Sequence, residues 1–217
     1  MRVLTRALAT LGLAALAGAT SLSAQNAGVG SYRFYVGASG GVMDFATTAQ
    51  TRGGVGMAGA NMLVTANRVG LMLAVDAGLG SGETAAFNDP VDGTIRTATF
   101  DHIMRYYFEM MAYPLKSHIQ PFIGVGFGIQ TLTNLQVQGS FVDDVTRQAN
   151  YNRASELGST GFAQAVAGVD IRVGVLDVFG SISAATAASS SDLIQGAVYT
   201  GQAGIRFNLG KSREDVD

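Results

Sequence analysis

The sequence predicts an all-β protein, an eight-stranded antiparallel up-and-down transmembrane β-barrel. Three observations carry that reading. Apolar residues recur at every second position over eight stretches, the positions between them hold glycine and nearly all of the charge, and short and long connections alternate between stretches. A two-residue period is the mark of a strand whose two faces meet different surroundings. Glycine, at 29 of 217 residues, is too abundant for a helical protein and lacks a collagen-like period.

Residues 1–24 come first. Arg2 and Arg6 precede an apolar stretch from Ala7 to Ala19, and Ser21 to Ala24 read Ser-Leu-Ser-Ala, the pattern of a secretory signal peptide cleaved after Ala24. The apolar run falls short of the roughly 20 residues that a spanning helix needs, which disfavours a membrane anchor. Residues 25–210 then make up the barrel and 211–217 a short polar periplasmic tail. Without Arg2 and Arg6 the chain holds 12 basic against 16 acidic residues, a formal charge of −4, which argues against affinity for nucleic acid. With no cysteine, stability must come from strand pairing and packing.

The strands follow in order. The first turns Tyr32, Phe34, Val36, Ala38 and Val42 outward, the second Ala58, Ala60, Met62 and Val64, and the third Val69, Leu71, Leu73, Val75 and Ala77. The fourth presents Phe100, His102, Met104, Tyr106, Phe108 and Met110. The fifth, Pro121 to Thr131, presents Ile123, Val125, Phe127 and Ile129, with Gly124, Gly126 and Gly128 opposite. The sixth offers Ala163 to Ile171 at odd positions, the seventh Leu176, Val178, Ile182 and Ala184, and the eighth Tyr199, Ala203, Ile205, Phe207 and Leu209. Short turns near Ala66, Pro114 and Val173 alternate with long connections over 45–52, 79–95, 133–159 and 186–193. That asymmetry places short turns in the periplasm and long loops outside. Aromatic residues at Tyr32, Phe34, Tyr106, Phe108, Tyr113 and Phe207 fall near one rim, with Phe100 and Tyr199 near the other, as two interfacial girdles would. A lipocalin-like barrel would reverse the faces.

The closing strand, Tyr199 to Leu209, reads Tyr-Thr-Gly-Gln-Ala-Gly-Ile-Arg-Phe-Asn-Leu. With this strand and the strand map, the chain resembles the small eight-stranded outer-membrane barrels, the group of the outer membrane protein A transmembrane domain, outer membrane protein X and the opacity-like proteins. The resemblance implies the outer membrane of a Gram-negative bacterium. It also implies an insertion signal at Tyr199, Ile205, Phe207 and Leu209 for the outer-membrane insertion machinery, and contact with outer-membrane lipid and lipopolysaccharide. The pattern departs from the family's in that residues follow the terminal aromatic.

Nearly every charge within the strands falls on the inward parity: Arg33, Arg68, Arg105, Arg172 and Arg206, with Asp76, Asp101, Glu109, Asp170 and Asp177. Five bases against five acids make a neutral lumen, as buried charges require if pairing is to offset desolvation. With inward bulk at Tyr35, Tyr107, Phe122, Phe162 and Phe179, an eight-stranded barrel is filled by side chains. Arg105 and Glu109, four apart and on one side of a strand, are the pair to probe first. The alternative is that the cluster binds an ion or a small polar solute.

Signals for chemistry are sparse. The run Gly124 to Gly128 keeps strand parity and precedes no helix, so it is no phosphate loop. His102 and His118 stand apart from any Ser-His-Asp set. Asp143, Asp144 and Glu156 in the longest loop admit weak calcium binding or a solvated loop face. That loop continues an alternating pattern through Leu135, Val137, Phe141 and Val145, which fits a hairpin. The functional expectation is a monomeric outer-membrane barrel with a structural or surface-interaction role, no cofactor, and an extracellular ligand met through its loops. A narrow channel for small solutes or ions is the alternative, and a lipid-A-modifying enzyme the third.

Overall fold

The computed structural model describes residues 31–115, 117–186 and 192–213; the proposed signal peptide and residues 214–217 lie outside them. Nine strands and one helix are described: β1 (Ser31–Thr47), β2 (Gly53–Ala66), β3 (Val69–Asn88), β4 (Ile95–Ala112), β5 (Ile119–Thr133), β6 (Gln136–Val137), α1 (Asp144–Leu157), β7 (Ser159–Val173), β8 (Leu176–Ala185) and β9 (Ile194–Arg213). The strands form one antiparallel sheet in which β3 pairs with β4 and β1 neighbours β9, so eight strands close into an up-and-down barrel, and the two-residue β6 adds to β4 beyond the closed ring. Closure leaves no free sheet edge, the condition for strands to survive in lipid.

The register sorts the alternation into concentric layers. Phe34, Val64, Leu71, Met110, Val125, Ala165, Ala184 and Tyr199 are successive ladder partners on the outside. Tyr35, Leu63, Met72, Glu109, Gly126, Gln164 and Ala185 are successive partners on the inside. Each outward residue named for β2 and β3 is exposed or half-exposed, and the inward positions between them are buried except at Gly59, which is half-buried.

The glycines of β5 are fitted to what faces them. A methyl group at Gly126 would stand 2.8 Å from Glu109 Cγ and 3.1 Å from Gln164 Cγ, and one at Gly128 would stand 2.5 Å from Tyr107 Cβ. Missing side chains on β5 thus make room for the charged and aromatic side chains of β4 and β7, as a narrow barrel demands.

At the long-connection end the structure departs from the sequence reading. The stretch 79–95 is not a loop: β3 and β4 continue as a hairpin to Asn88 and Ile95, beyond a register shift between Leu79 and Glu83. The irregularity reverses the parity, so Phe100, expected in a girdle, points inward and is 1% exposed. The long connection 133–159 is not a hairpin but β6 followed by α1, started by Asp143, whose carboxylate accepts from Thr146 N at 2.7 Å. Only Asn150, Ala154 and Leu157 of α1 are buried, a stripe one residue wide. Ala154 and Leu157 join Phe45, Phe87, Phe100 and Leu193 in the buried apolar cluster at this end of the barrel.

At the short-turn end Tyr113 also turns inward, against its girdle assignment, and stacks on Phe122 with ring centroids 5.8 Å apart. Lys211 to Arg213, assigned to a polar tail, continue β9.

Because the space opposite Gly128 is already filled, Gly128→Leu is expected to cost about 1–3 kcal/mol or more through overpacking. Gly53→Ala, where nothing lies within 4 Å, is expected to be neutral. Urea unfolding, followed by the loss of the faster-migrating folded band on a cold gel, measures both.

Candidate functional site

The barrel interior carries the molecule's buried chemistry, which β2, β3, β4, β7, β8 and β9 assemble through their inward positions. Nearest the short-turn end, Arg206 on β9 is fully buried. Its Nη1 donates to Asp170 Oδ1 on β7 at 3.1 Å and to Asp177 Oδ2 on β8 at 3.4 Å, and its Nε donates to Asn61 Oδ1 on β2 at 2.8 Å. The guanidinium lies 3.6 Å from the Phe179 ring centroid. Asp170 also accepts from the Tyr113 hydroxyl at 3.0 Å and pairs with Arg172 at 3.6 Å. Planar, multiply bonded guanidinium is suited to such a hub because its donors point in fixed directions.

Above this set lies a second. Arg105 Nη2 donates to Gln164 Oε1 at 2.8 Å, and Gln164 Nε2 donates to Glu109 Oε1 at 2.6 Å. The Tyr107 hydroxyl donates to Asp76 Oδ2 at 2.7 Å. Arg105 and Glu109, singled out as a pair by their spacing, are joined through the Gln164 amide, which bridges the gap that the strand spacing leaves between them, while Arg105 Nε is buried without a partner. The Arg105 guanidinium also lies 4.2 Å from the centroid of Phe162.

Two charges assigned to the lumen lie elsewhere, and a third stands at its rim. Arg68 is exposed in the β2–β3 turn, where Asn67 adopts φ 53° and the Arg68 carbonyl accepts from Tyr113 N. Asp101 sits half-exposed at the β3–β4 irregularity, accepting from Gly82 N at 3.2 Å and Asn134 Nδ2 at 3.4 Å. Arg33 is half-buried at the short-turn rim. The enclosed set is therefore Arg105, Arg172 and Arg206 with Asp76, Glu109, Asp170 and Asp177. The sequence reading omitted Asn61 and Gln164 and left Tyr107 and Tyr113 as bulk or girdle; inward parity was the available signal for Asn61, Gln164 and Tyr107.

The remaining candidates are dispersed. His102 faces outward on β4, and His118 is exposed beside the β4–β5 turn. Tyr199, Ile205, Phe207 and Leu209 all project from the outer face of β9. Asp143 is engaged as the cap of α1, and Glu156 pairs with Arg153 at 3.4 Å. Among the described residues no group of three or more His, Cys, Asp or Glu is arranged to hold a metal.

At the long-connection end one cation organises the cap. Arg96 donates through Nε to Asp89 at 2.9 Å and through Nη1 to the Ser140 carbonyl at 3.2 Å, and its guanidinium lies 4.9 Å from the Phe141 ring centroid. Burial pushes the Asp89 carboxyl up, but hydrogen bonds from Val91 N, Asn150 and Arg96 outweigh it and hold the group below its ordinary value. Asp92 is lowered by the Thr94 hydroxyl and backbone N–H, and Asp143 by Thr146 N.

No protein-family model matches the chain, and no curated protein matches it. Among solved structures it is similar to Neisserial surface protein A, with a TM-score of 0.55 at 8% identity over 81% of this chain and 97% of that one. A second similar structure is the outer membrane protein OprG from Pseudomonas aeruginosa, with a TM-score of 0.40 at 11% identity over 83% of this chain and 93% of that one. What the chain shares with Neisserial surface protein A is the fold. Its exterior, apolar around the whole ring of ladder partners, is the surface of a barrel immersed in lipid.

Removing one member of the Arg206 set strands a buried charge. Arg206→Met, which leaves Asp177 buried without a cation, is expected to cost about 3–5 kcal/mol, whereas Arg206→Met combined with Asp177→Asn is expected to cost less than the single change. Equilibrium unfolding in detergent compares the two. The cap has its own pH dependence: carboxyls lowered on folding stabilise it above their ordinary value of 3.8 and lose that contribution as pH falls through the lower folded value. A nitroxide on Val142→Cys, the chain's sole thiol, is expected to be less mobile at neutral pH, where the cap holds the backbone beneath it, than at strongly acid pH.

Proposed function

We propose that the protein resides in the outer membrane of a Gram-negative bacterium as a side-chain-occluded barrel, with its long-connection end outside and a structural or surface-interaction role rather than transport or catalysis. The observation that carries this reading is the enclosed Arg206 and Arg105 sets, stacked between the apolar layer under α1 and the Tyr113 and Phe122 rings. Buried, mutually bonded charges occupy the space that a permeating solute would need, and an eight-stranded barrel has little to spare. Lipid and lipopolysaccharide meet the apolar belt, and the outward face of Tyr199 to Leu209 is the segment offered to the insertion machinery.

Reconstitution in planar bilayers tests the occlusion. Purified, folded protein is expected to give no stable large conductance; a steady open level that Arg206→Ala raises would assign the lumen to the narrow-channel alternative instead. In cells, the protein is expected in the outer-membrane fraction, migrating faster unboiled than boiled.

A further inference from the structure

The cap around Arg96 carries a feature that the lumen does not explain. Four aliphatic side chains stand on the segments gathered there, with 64% of Val91, 77% of Ile95, 97% of Val142 and 78% of Val145 exposed. Lipid accounts for exposed apolar groups on the barrel wall, but these lie beyond it, on the β3–β4 hairpin tip and at the start of α1. The segments are tied down: Arg96 bridges Asp89, Ser140 and Phe141, the Gln138 N–H donates to the Thr97 carbonyl at 2.8 Å, and Asp143 caps α1. Exposed apolar groups on a rigid frame in water mark an interaction surface, because little ordering cost remains at binding.

Charge indicates what it meets. Residues 44–53, 80–101, 133–158 and 192–196 together carry nine acids and four arginines, with no lysine. Each of those arginines is already ion-paired within the same end: Arg52 with Asp44, Arg96 with Asp89 and Asp92, Arg147 with Asp144, and Arg153 with Glu156. The surplus is acidic, so a second copy of this end is repelled and an anionic lipid surface disfavoured. A free cation would leave the aliphatic groups bare.

We propose that this cap is a docking site for a polypeptide whose contact surface combines apolar and basic side chains, seated on Val91, Ile95, Val142 and Val145. The proposal rests on the reading that the long-connection end faces outward.

The test uses the full barrel in zwitterionic nanodiscs and two probe peptides, an amphipathic leucine–lysine helix and its leucine–glutamate counterpart, with affinity read by fluorescence anisotropy. The lysine peptide is expected to bind and the glutamate peptide not to. Val142→Ser with Val145→Ser is expected to weaken binding by about tenfold, the scale of losing one or two well-packed aliphatic anchors. Both positions are exposed, so folding is not at stake, and Asp144→Asn is expected to weaken binding while lowering its salt dependence. Equal binding of both peptides, no binding, or affinity unchanged by the serine substitutions would overturn the proposal. Orientation is read separately, by a membrane-impermeant maleimide on Val142→Cys in intact cells: labelling supports it, and labelling only after lysis overturns it.

Discussion

Arg206 is the constraint on which the interior depends. One guanidinium on the closing strand is bonded to side chains of β2, β7 and β8 and stacked on a ring from β8, and β1 must come close enough to seal the barrel beside it. That approach requires Gly37, where any Cβ would collide with the Ile205 carbonyl and the Arg206 side chain. Packing and charge pairing are therefore coupled at the β1–β9 seam. The barrel closes in the register that brings Arg206 to its carboxylates, and a slip of one residue would turn every inward charge into lipid.

This arrangement inverts the economy of a water-soluble protein. With lipid outside, burial of apolar surface does not drive the barrel together once it is in the bilayer, so specificity must come from hydrogen bonding and shape inside. Buried ion pairs are weak sources of net stability, yet a half-satisfied set is costly, which penalises misregistered alternatives. The glycines of β5 serve the same end from the other side, since the bulk they omit is the bulk that Glu109, Gln164, Tyr107 and Phe162 supply. The cap follows a different logic: a thin apolar layer and one arginine hold α1 and the hairpin tip in place, over water rather than lipid.

Much of the barrel was legible in the sequence because a two-residue period survives any uncertainty about loops. The outward residues of β2, β3 and β5 and the inward placement of Arg105, Glu109, Asp170, Asp177 and Arg206 all follow from parity alone. Parity fails where the ladder is irregular, and the shift between Leu79 and Glu83 is why Phe100 was assigned to the wrong face and Asp101 to the lumen. It also says nothing about partners: Gln164 bridging Arg105 to Glu109 depends on the stagger between β4 and β7, which no single strand encodes. Helix α1 escaped because its buried positions are Asn150, Ala154 and Leu157, too polar and too small for a helical stripe, although Asp143 as a cap residue with Asp144 in the first turn was a usable start signal. Tyr113 lies just past the end of β4, where the chain turns and alternation no longer fixes direction.

The most direct measurement is the exchange of the Arg206 side-chain protons with water, followed by nitrogen-resolved NMR of the folded protein in micelles. An Arg206 Nε–H resonance protected from exchange and in contact with the Phe179 ring protons, while Arg147 on the exposed helix exchanges freely, is the outcome expected of an enclosed, bonded guanidinium. Exchange at Arg206 as fast as at Arg147 would mean that water reaches the centre of the barrel, and the interior described here would be wrong.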